Sequence, residues 1–233
     1  MTLEPRGSGS RRLAFVARVL PASTVLAVVV AVAEVWAEDT DSFQWSATRR
    51  LTWDDFAGAV TREDGSERIA ATTASIAWSY DFRVRMAGAD CTYTLTAIDS
   101  AAHFHPAKSW VDPGHENAAV LAHEQGHFDI AELYSREFKT VTRDLIGTGY
   151  GCRAGLMGRA TRDAEAALAG QLGAIYDQVW GRYRARQQAY DGDTRHGTDT
   201  DAQSRWDACI AVTLGSGPGC WAESARLPGS VPE

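Results

Sequence analysis

Hydrophobic positions along this chain change rhythm several times, and each change predicts a different element. From Val25 to Val35 nearly every residue is small and apolar. That run is roughly half the ~20 apolar residues a membrane-crossing helix needs. From Asp39 to Gly58 the chain turns polar, with rings spaced at Phe43, Trp45, Trp53 and Phe56. This predicts a strand or extended arm that docks its aromatic side chains on a body. A charged turn surrounds Asp64-Gly65. Ile69 to Arg85 and Cys91 to Ile98 are rich in Thr, Val, Ile, Tyr and Trp and partly alternate, the pattern of half-buried strands. Ala87-Gly88-Ala89-Asp90 between them suits a hairpin turn.

Beyond residue 112 the period lengthens. Asp112-Pro113 reads as a helix start, and from about His115 to Ile146 Gly126 is the one glycine and proline is absent. Gly147-Thr148-Gly149-Tyr150-Gly151 breaks this helix. A second helix is predicted from about Arg153 to Tyr190, with Leu168, Leu172, Ile175, Val179 and Tyr183 on one face at spacings of three and four. A polar loop then runs to Asp201, before a short element around Trp206. The predicted fold class is α+β: a small antiparallel N-terminal sheet packed on two long helices. The domain occupies 38–206, between a leader at 1–37 and a C-terminal disulfide loop and tail at 207–233.

Composition adds the compartment. Arg6, Arg11, Arg12 and Arg18 precede the apolar run, and Val35-Trp36-Ala37 offers a cleavage site before Glu38, the three-part layout of a secretory signal. Cleavage after Ala37 and a secreted or periplasmic location are expected; a retained N-terminal anchor is the alternative. The formal net charge is −7, and it becomes more acidic without the leader. With no basic patch interleaved with aromatics, this argues against a nucleic-acid partner. Cys91, Cys152, Cys209 and Cys220 form an even set, which in an exported chain reads as two disulfides. Of three connectivities, Cys91–Cys152 with Cys209–Cys220 is preferred, because the latter closes a short loop.

The chemistry lies within the first predicted helix, in His123-Glu124-Gln125-Gly126-His127. Residues four apart share a helix face, so both imidazoles can point at one ion. Zinc favours such ligands with one position left open for water, and the glutamate between them can take a proton from that water. The bland alternative, two solvated histidines on a surface helix, is countered by the apolar neighbours Val120, Leu121 and Phe128. A third ligand must come from elsewhere. Glu132 sits about 180° and Asp129 about 240° around the helix from His123, so both belong to other surfaces. The downstream Tyr190-Asp191-Gly192-Asp193-Thr194-Arg195-His196-Gly197 loop is the better source, with His196 the first choice and Asp193 the second. Tyr190 is a candidate hydrogen-bond donor to a developing oxyanion, although a tyrosine at a helix end more often packs its ring. His103, His105 and His115 read as surface histidines.

Together, Trp53-Asp54-Asp55-Phe56-Ala57-Gly58, Ala70-Ala71-Thr72-Thr73, Ser109-Trp110-Val111, the stretch from His123 to Leu133, Arg136, the 190–197 loop, Gln203 and Trp206 resemble the bacterial predicted secreted zinc-dependent protease family, long catalogued as a domain of unknown function. The resemblance implies a zincin-like fold, Zn2+ on His123 and His127, catalytic Glu124, and the His196-Gly197 pair as the third-ligand position. Two departures stand out: the family usually has Glu where Asp193 stands, and zincin helices prefer an apolar residue where Asp129 stands. The expected function is hydrolysis of peptide bonds in a peptide or protein substrate by a zinc-activated water. An edge strand within Ala70–Val84 would hold the substrate by strand addition. The alternatives are a non-catalytic cell-envelope protein with a structural zinc that binds a partner, and an amidase acting on cell-wall peptides.

Overall fold

In the computed structural model, which describes residues 28–32, 41–61, 68–88, 90–153 and 157–216, the alternating stretch after residue 73 becomes two long strands. They are β4 (Ala74–Ala87) and β5 (Asp90–Phe104), following β1 (Val28–Val32), β2 (Phe43–Gln44) and β3 (Ala70–Ala71). Gly88 turns between the long strands with φ +63°. Then come β6 (Trp110–Val111), helix α1 (Ala118–Val141), β7 (Gly149–Arg153) and helices α2 (Met157–Thr194) and α3 (Thr200–Ser216). Among the described residues the fold is mixed α+β with antiparallel pairing and three α-helices, where the hydrophobic pattern predicts two long helices and a short element around Trp206. The chain divides into two compact units.

One unit comprises Met1–Glu38, Trp78–Asp99 and Thr142–Leu172. Within it β4 lies between β1 and β5, and β7 also pairs with β5. β1 runs antiparallel to β4, from Val28 opposite Val84 to Val32 opposite Tyr80. It falls inside the expected leader, the rest of which lies outside the described residues. β7 replaces the break expected at 147–151: its extended backbone pairs with β5 from Asp90 opposite Arg153 to Thr94 opposite Gly149. That register sets Cys91 opposite Cys152, and Cys91 is disulfide-bonded, in keeping with the preferred pairing. Cys209 is disulfide-bonded too; Cys220, its expected partner, lies outside the described residues. The core of this unit sets Tyr80, Phe82, Tyr93 and Leu95 against Ala164, Leu168 and Leu172 of α2. The Phe82 and Tyr93 rings stack with centroids 3.8 Å apart. Burial of each such large side chain contributes about 1.5–3 kcal/mol.

The other unit, Asp39–Ala77, Ser100–Val141 and Gly173–Glu233, carries the HExxH motif. Its N-terminal segment is the arm the spaced aromatics predict. Phe43 packs on Phe104 and Phe128, and Phe56 on Phe104. The polar residues between the rings tie the arm to α1. The Trp45 indole N–H donates to Asp129 Oδ1 at 2.7 Å, Arg50 pairs with Oδ2 at 3.1 Å, and Leu51 N–H donates to Gln125 Oε1 at 2.7 Å. Helix α1 starts later than Asp112-Pro113 suggests, because Asn117 supplies the cap: its Oδ1 accepts from the N–H groups of Ala119 and Val120 at 3.0 Å. From His123 to Ala131 every residue but His127 is buried, so the motif sits mid-length in a helix covered on most of its circumference. Helix α2 continues past its expected end at Tyr190. Arg195, His196 and Gly197 then take left-handed backbone, with φ +48°, +54° and +80°, and reverse the chain. Asp199 Oδ1 accepts from Ala202 N–H and caps α3, which runs through residues 207–216 of the expected tail. Among the described residues no helix is long and apolar enough to cross a membrane.

Candidate metal centre

Helix α1 places His123 and His127 one turn apart, with their Nε2 atoms 3.2 Å from each other. The last turn of α2 delivers Asp191 to the same point. Its Oδ1 stands 3.2 Å from His123 Nε2 and 3.0 Å from His127 Nε2. His196, carried on the left-handed reversal, sets its Nδ1 3.4 Å from the same oxygen. The other carboxylate oxygen, Oδ2, accepts from Arg68 Nη2 at 3.2 Å. His123 is buried, His127 and Asp191 are nearly so, and the His196 side chain is 52% exposed.

Two glutamines decide which ring nitrogens carry protons. Gln203 donates its amide protons to Tyr190 Oη at 2.6 Å and Asp207 Oδ1 at 2.7 Å. Its Oε1, 3.1 Å from His123 Nδ1, must therefore accept, and that nitrogen must bear the hydrogen. Thr194 agrees: its hydroxyl proton goes to Tyr190 O, so toward His123 Nδ1 at 3.5 Å it too can only accept. On the second ring, Gln187 donates to His127 O at 2.9 Å and turns its Oε1 to His127 Nδ1. In a neutral imidazole one nitrogen donates and the other accepts. Both Nε2 atoms are thus acceptors, and they meet a third acceptor, Asp191 Oδ1. Only a proton or a cation can join three facing lone pairs. Burial lowers the His127 pKa, but Asp191, Glu124 and Gln187 more than offset that and hold it above the usual histidine value. Burial likewise works to raise the Asp191 pKa, and the His123 and His127 bonds reverse it, leaving the carboxyl far below the ordinary range.

A metal ion answers the same demand. Ligands about 2.0–2.1 Å from a tetrahedral zinc stand about 3.3 Å apart, close to the 3.2, 3.2 and 3.0 Å separations of these three atoms. The donor set, imidazoles with a carboxylate, is of the kind zinc takes. Glu124, between the two histidines, is buried, and its Oε2 has no hydrogen-bond partner among the described residues. A buried carboxylate oxygen without a partner is costly and calls for an ion, a water or a ligand beside it.

Residues 48–197 match the family described as Bacterial protein of unknown function (DUF922). The chain belongs to DUF922. The match takes in every histidine and carboxylate of the cluster and stops before α3, which supplies Gln203. Neither the curated proteins nor the solved structures contain a match to the chain.

In this DUF922 member the three residues expected as metal ligands, His123, His127 and His196, come together, and Glu124 stands beside them. Tyr190 takes the bland role. Its ring lies parallel to that of His123, with centroids 4.6 Å apart, and its buried hydroxyl donates to His123 O at 3.1 Å while accepting from Gln203. Burial raises its pKa, and its proton is committed to His123 O rather than to the cluster. Asp193 is outside the cluster and accepts from the Trp206 indole. Asp129 and Glu132 face elsewhere, as their helix angles require; Glu132 accepts from Arg136. His105 bonds Ser75 and His115 lies near Asp112. Two glycines make room for the packing. A Cβ on Gly126 would stand 2.1 Å from Tyr190 Oη, and one on Gly197 would stand 2.9 Å from His123 Cβ.

Asp191, Gln187 and Gln203 are the participants that sequence reasoning missed. Gln187, Tyr190, Asp191 and Thr194 follow the spacing of three, four and seven that marks one helix face. Reading Asp191-Gly192-Asp193 as a loop hides it, because Gly and Asp are weak helix formers.

Proposed function

We propose that this DUF922 member is an exported zinc-dependent metallopeptidase of zincin-like build. The observation that carries the reading is the buried, unpartnered oxygen of Glu124, next to a junction of metal-ready acceptors in an HExxH sequence. His123, His127 and a donor from 191–196 would hold the metal. When bound, zinc supplies Lewis acidity, polarising a carbonyl and lowering the pKa of water toward 7. Glu124 takes the proton from the attacking water and passes it to the departing amine. Gln203 and Gln187 keep the histidine rings in the tautomer that leaves Nε2 free.

The substrate in this reading is an extended peptide. Ile69 O accepts from Asp112 N–H, Thr73 N–H donates to Ser109 Oγ, and Thr73 O accepts from His105 N–H. Backbone alternation then directs the groups of Ala70 and Thr72 to the opposite edge, where added strands bind. Thr72 Oγ1 donates to Glu124 O at 3.2 Å, which holds that edge against the motif. The test is metal analysis with a broad peptide-library digest of wild type and Glu124→Gln. We expect zinc in both and cleavage by wild type alone. Cleavage by the variant at the wild-type rate would remove Glu124 from the chemistry.

A second reading has its own observation. His123, His127, Asp191 and His196 are together enough to fill a tetrahedral shell, and zinc sites closed by four protein ligands are structural. That would make the protein a non-catalytic envelope component.

A further inference from the structure

We infer that Asp191 is the third metal ligand, binding through Oδ1 alone, that Arg68 aims it, and that His196 stands outside the coordination shell. The inference rests on the metallopeptidase reading and completes its ligand set. Three observations separate Asp191 from His196. First, Asp191 Oδ1 lies within 3.2 Å of both motif nitrogens, whereas His196 stands 3.4 Å from that oxygen and shares only a looser 4.8 Å grouping with His123. Second, Asp191 sits on the last turn of a 38-residue helix, and its side chain is nearly buried. His196 is half exposed on a left-handed residue past the helix end, a conformation that costs an L-residue about 1–2 kcal/mol. Third, the two carboxylate oxygens are differentiated. Arg68 takes Oδ2 at 3.2 Å, which leaves Oδ1 as the oxygen available to the ion.

The ligand set is then His123, His127 and Asp191, two imidazoles and one carboxylate, with a fourth position free for water or a substrate carbonyl, as catalytic zinc sites require. It also gives His196 a different place. Its ring stands at the exposed side of the cluster, 3.4 Å from the ligand oxygen, where it can meet substrate.

The experiment is a zinc titration of the full chain in competition with a chromophoric chelator, with cobalt(II) loading read by visible absorption. Wild type, Asp191→Asn, Arg68→Ala and His196→Ala are compared, and circular dichroism reports whether each is folded. Loss of a ligand should exceed the ~10–100-fold that removal of a supporting residue costs. Asp191→Asn should therefore weaken zinc by more than about 100-fold and change the cobalt band. Arg68→Ala, at a half-exposed side chain that tolerates truncation, should weaken zinc by about 10-fold and serves if Asp191→Asn does not fold. His196→Ala should keep both the cobalt band and near wild-type affinity. Wild-type affinity in Asp191→Asn, or in Arg68→Ala if that is the variant that folds, overturns the inference and leaves the metallopeptidase reading standing. Comparable large losses in Asp191→Asn and His196→Ala overturn it in favour of a closed four-ligand site. A wild-type chain that takes up neither metal overturns both readings together.

Discussion

Gly126→Ala sets two local rules against each other, and their magnitudes decide the sign. Gly126 lies inside α1, where alanine is favoured over glycine by about 1 kcal/mol. Judged by helix propensity alone, the substitution stabilises. The structure puts the new methyl 2.1 Å from Tyr190 Oη and 2.6 Å from Cζ, far inside contact distance. Tyr190 has little freedom to retreat: it is fully buried, stacked on His123, and bonded to His123 O and Gln203. Overpacking of this kind costs about 1–3 kcal/mol, and breaking the two hydroxyl bonds costs about 1 kcal/mol each. Set against the propensity gain, the net destabilisation is about 2–4 kcal/mol. For a chain of this size that lowers Tm by roughly 4–16 °C. Urea and thermal melts of the metal-free protein measure it. Zinc titration of the same samples should show weaker binding, because the ring that backs His123 has shifted. A variant with a Tm equal to or above wild type would mean that Tyr190 yields freely, and the account of a rigid support behind His123 would be lost.

Four further outcomes are expected. Gln203→Leu and Gln187→Leu should each weaken zinc about 10–100-fold with the fold retained by circular dichroism; undiminished affinity would contradict the tautomer assignment. Stripping zinc from the loaded protein with a chelator should lower Tm, since a ligand at one hundred times its Kd stabilises by about 2.7 kcal/mol; superimposable melts with and without zinc would count against a site formed by the native fold. Asp129→Ala should cost about 2–4 kcal/mol, because Trp45 and Gln125 lose a buried acceptor; a urea midpoint within error of wild type would remove this carboxylate as the anchor of the N-terminal arm. Thr72→Val should weaken peptide hydrolysis through KM more than kcat if the edge beside Glu124 holds substrate; a change confined to kcat would place the substrate elsewhere.

How much of this was legible in the chain follows the range of the interactions. Helix α1 with its two neighbouring histidines is readable because a separation of four residues is a local relation, set by the helix repeat wherever the helix packs. The same holds for β4 and β5, for the apolar face of α2, and for the arm whose spaced rings could only be buried against something else. Strand β7 was read as a break, and helix α3 only as a short element around Trp206. The glycine-rich segment at 147–151 has a weak strand propensity of its own, and pairing with β5, distant along the chain, decided it.

Closure of the centre depended on tertiary structure. Asp191 stands 68 residues from His123, and Gln203 stands 80. Nothing in the local pattern marks either, since a glutamine or an aspartate with a long-range partner has the same sequence signature as a solvated one. Only the continuation of α2 through Thr194, the three left-handed residues after it and the packing of Tyr190 against Gly126 bring the carboxylate, the tautomer-setting amides and the two imidazoles to one point. The motif was written in five consecutive residues, whereas the facing lone pairs come from two helices, oriented in part by Gln203 of a third, because charge and hydrogen-bond complementarity are properties of positions in space.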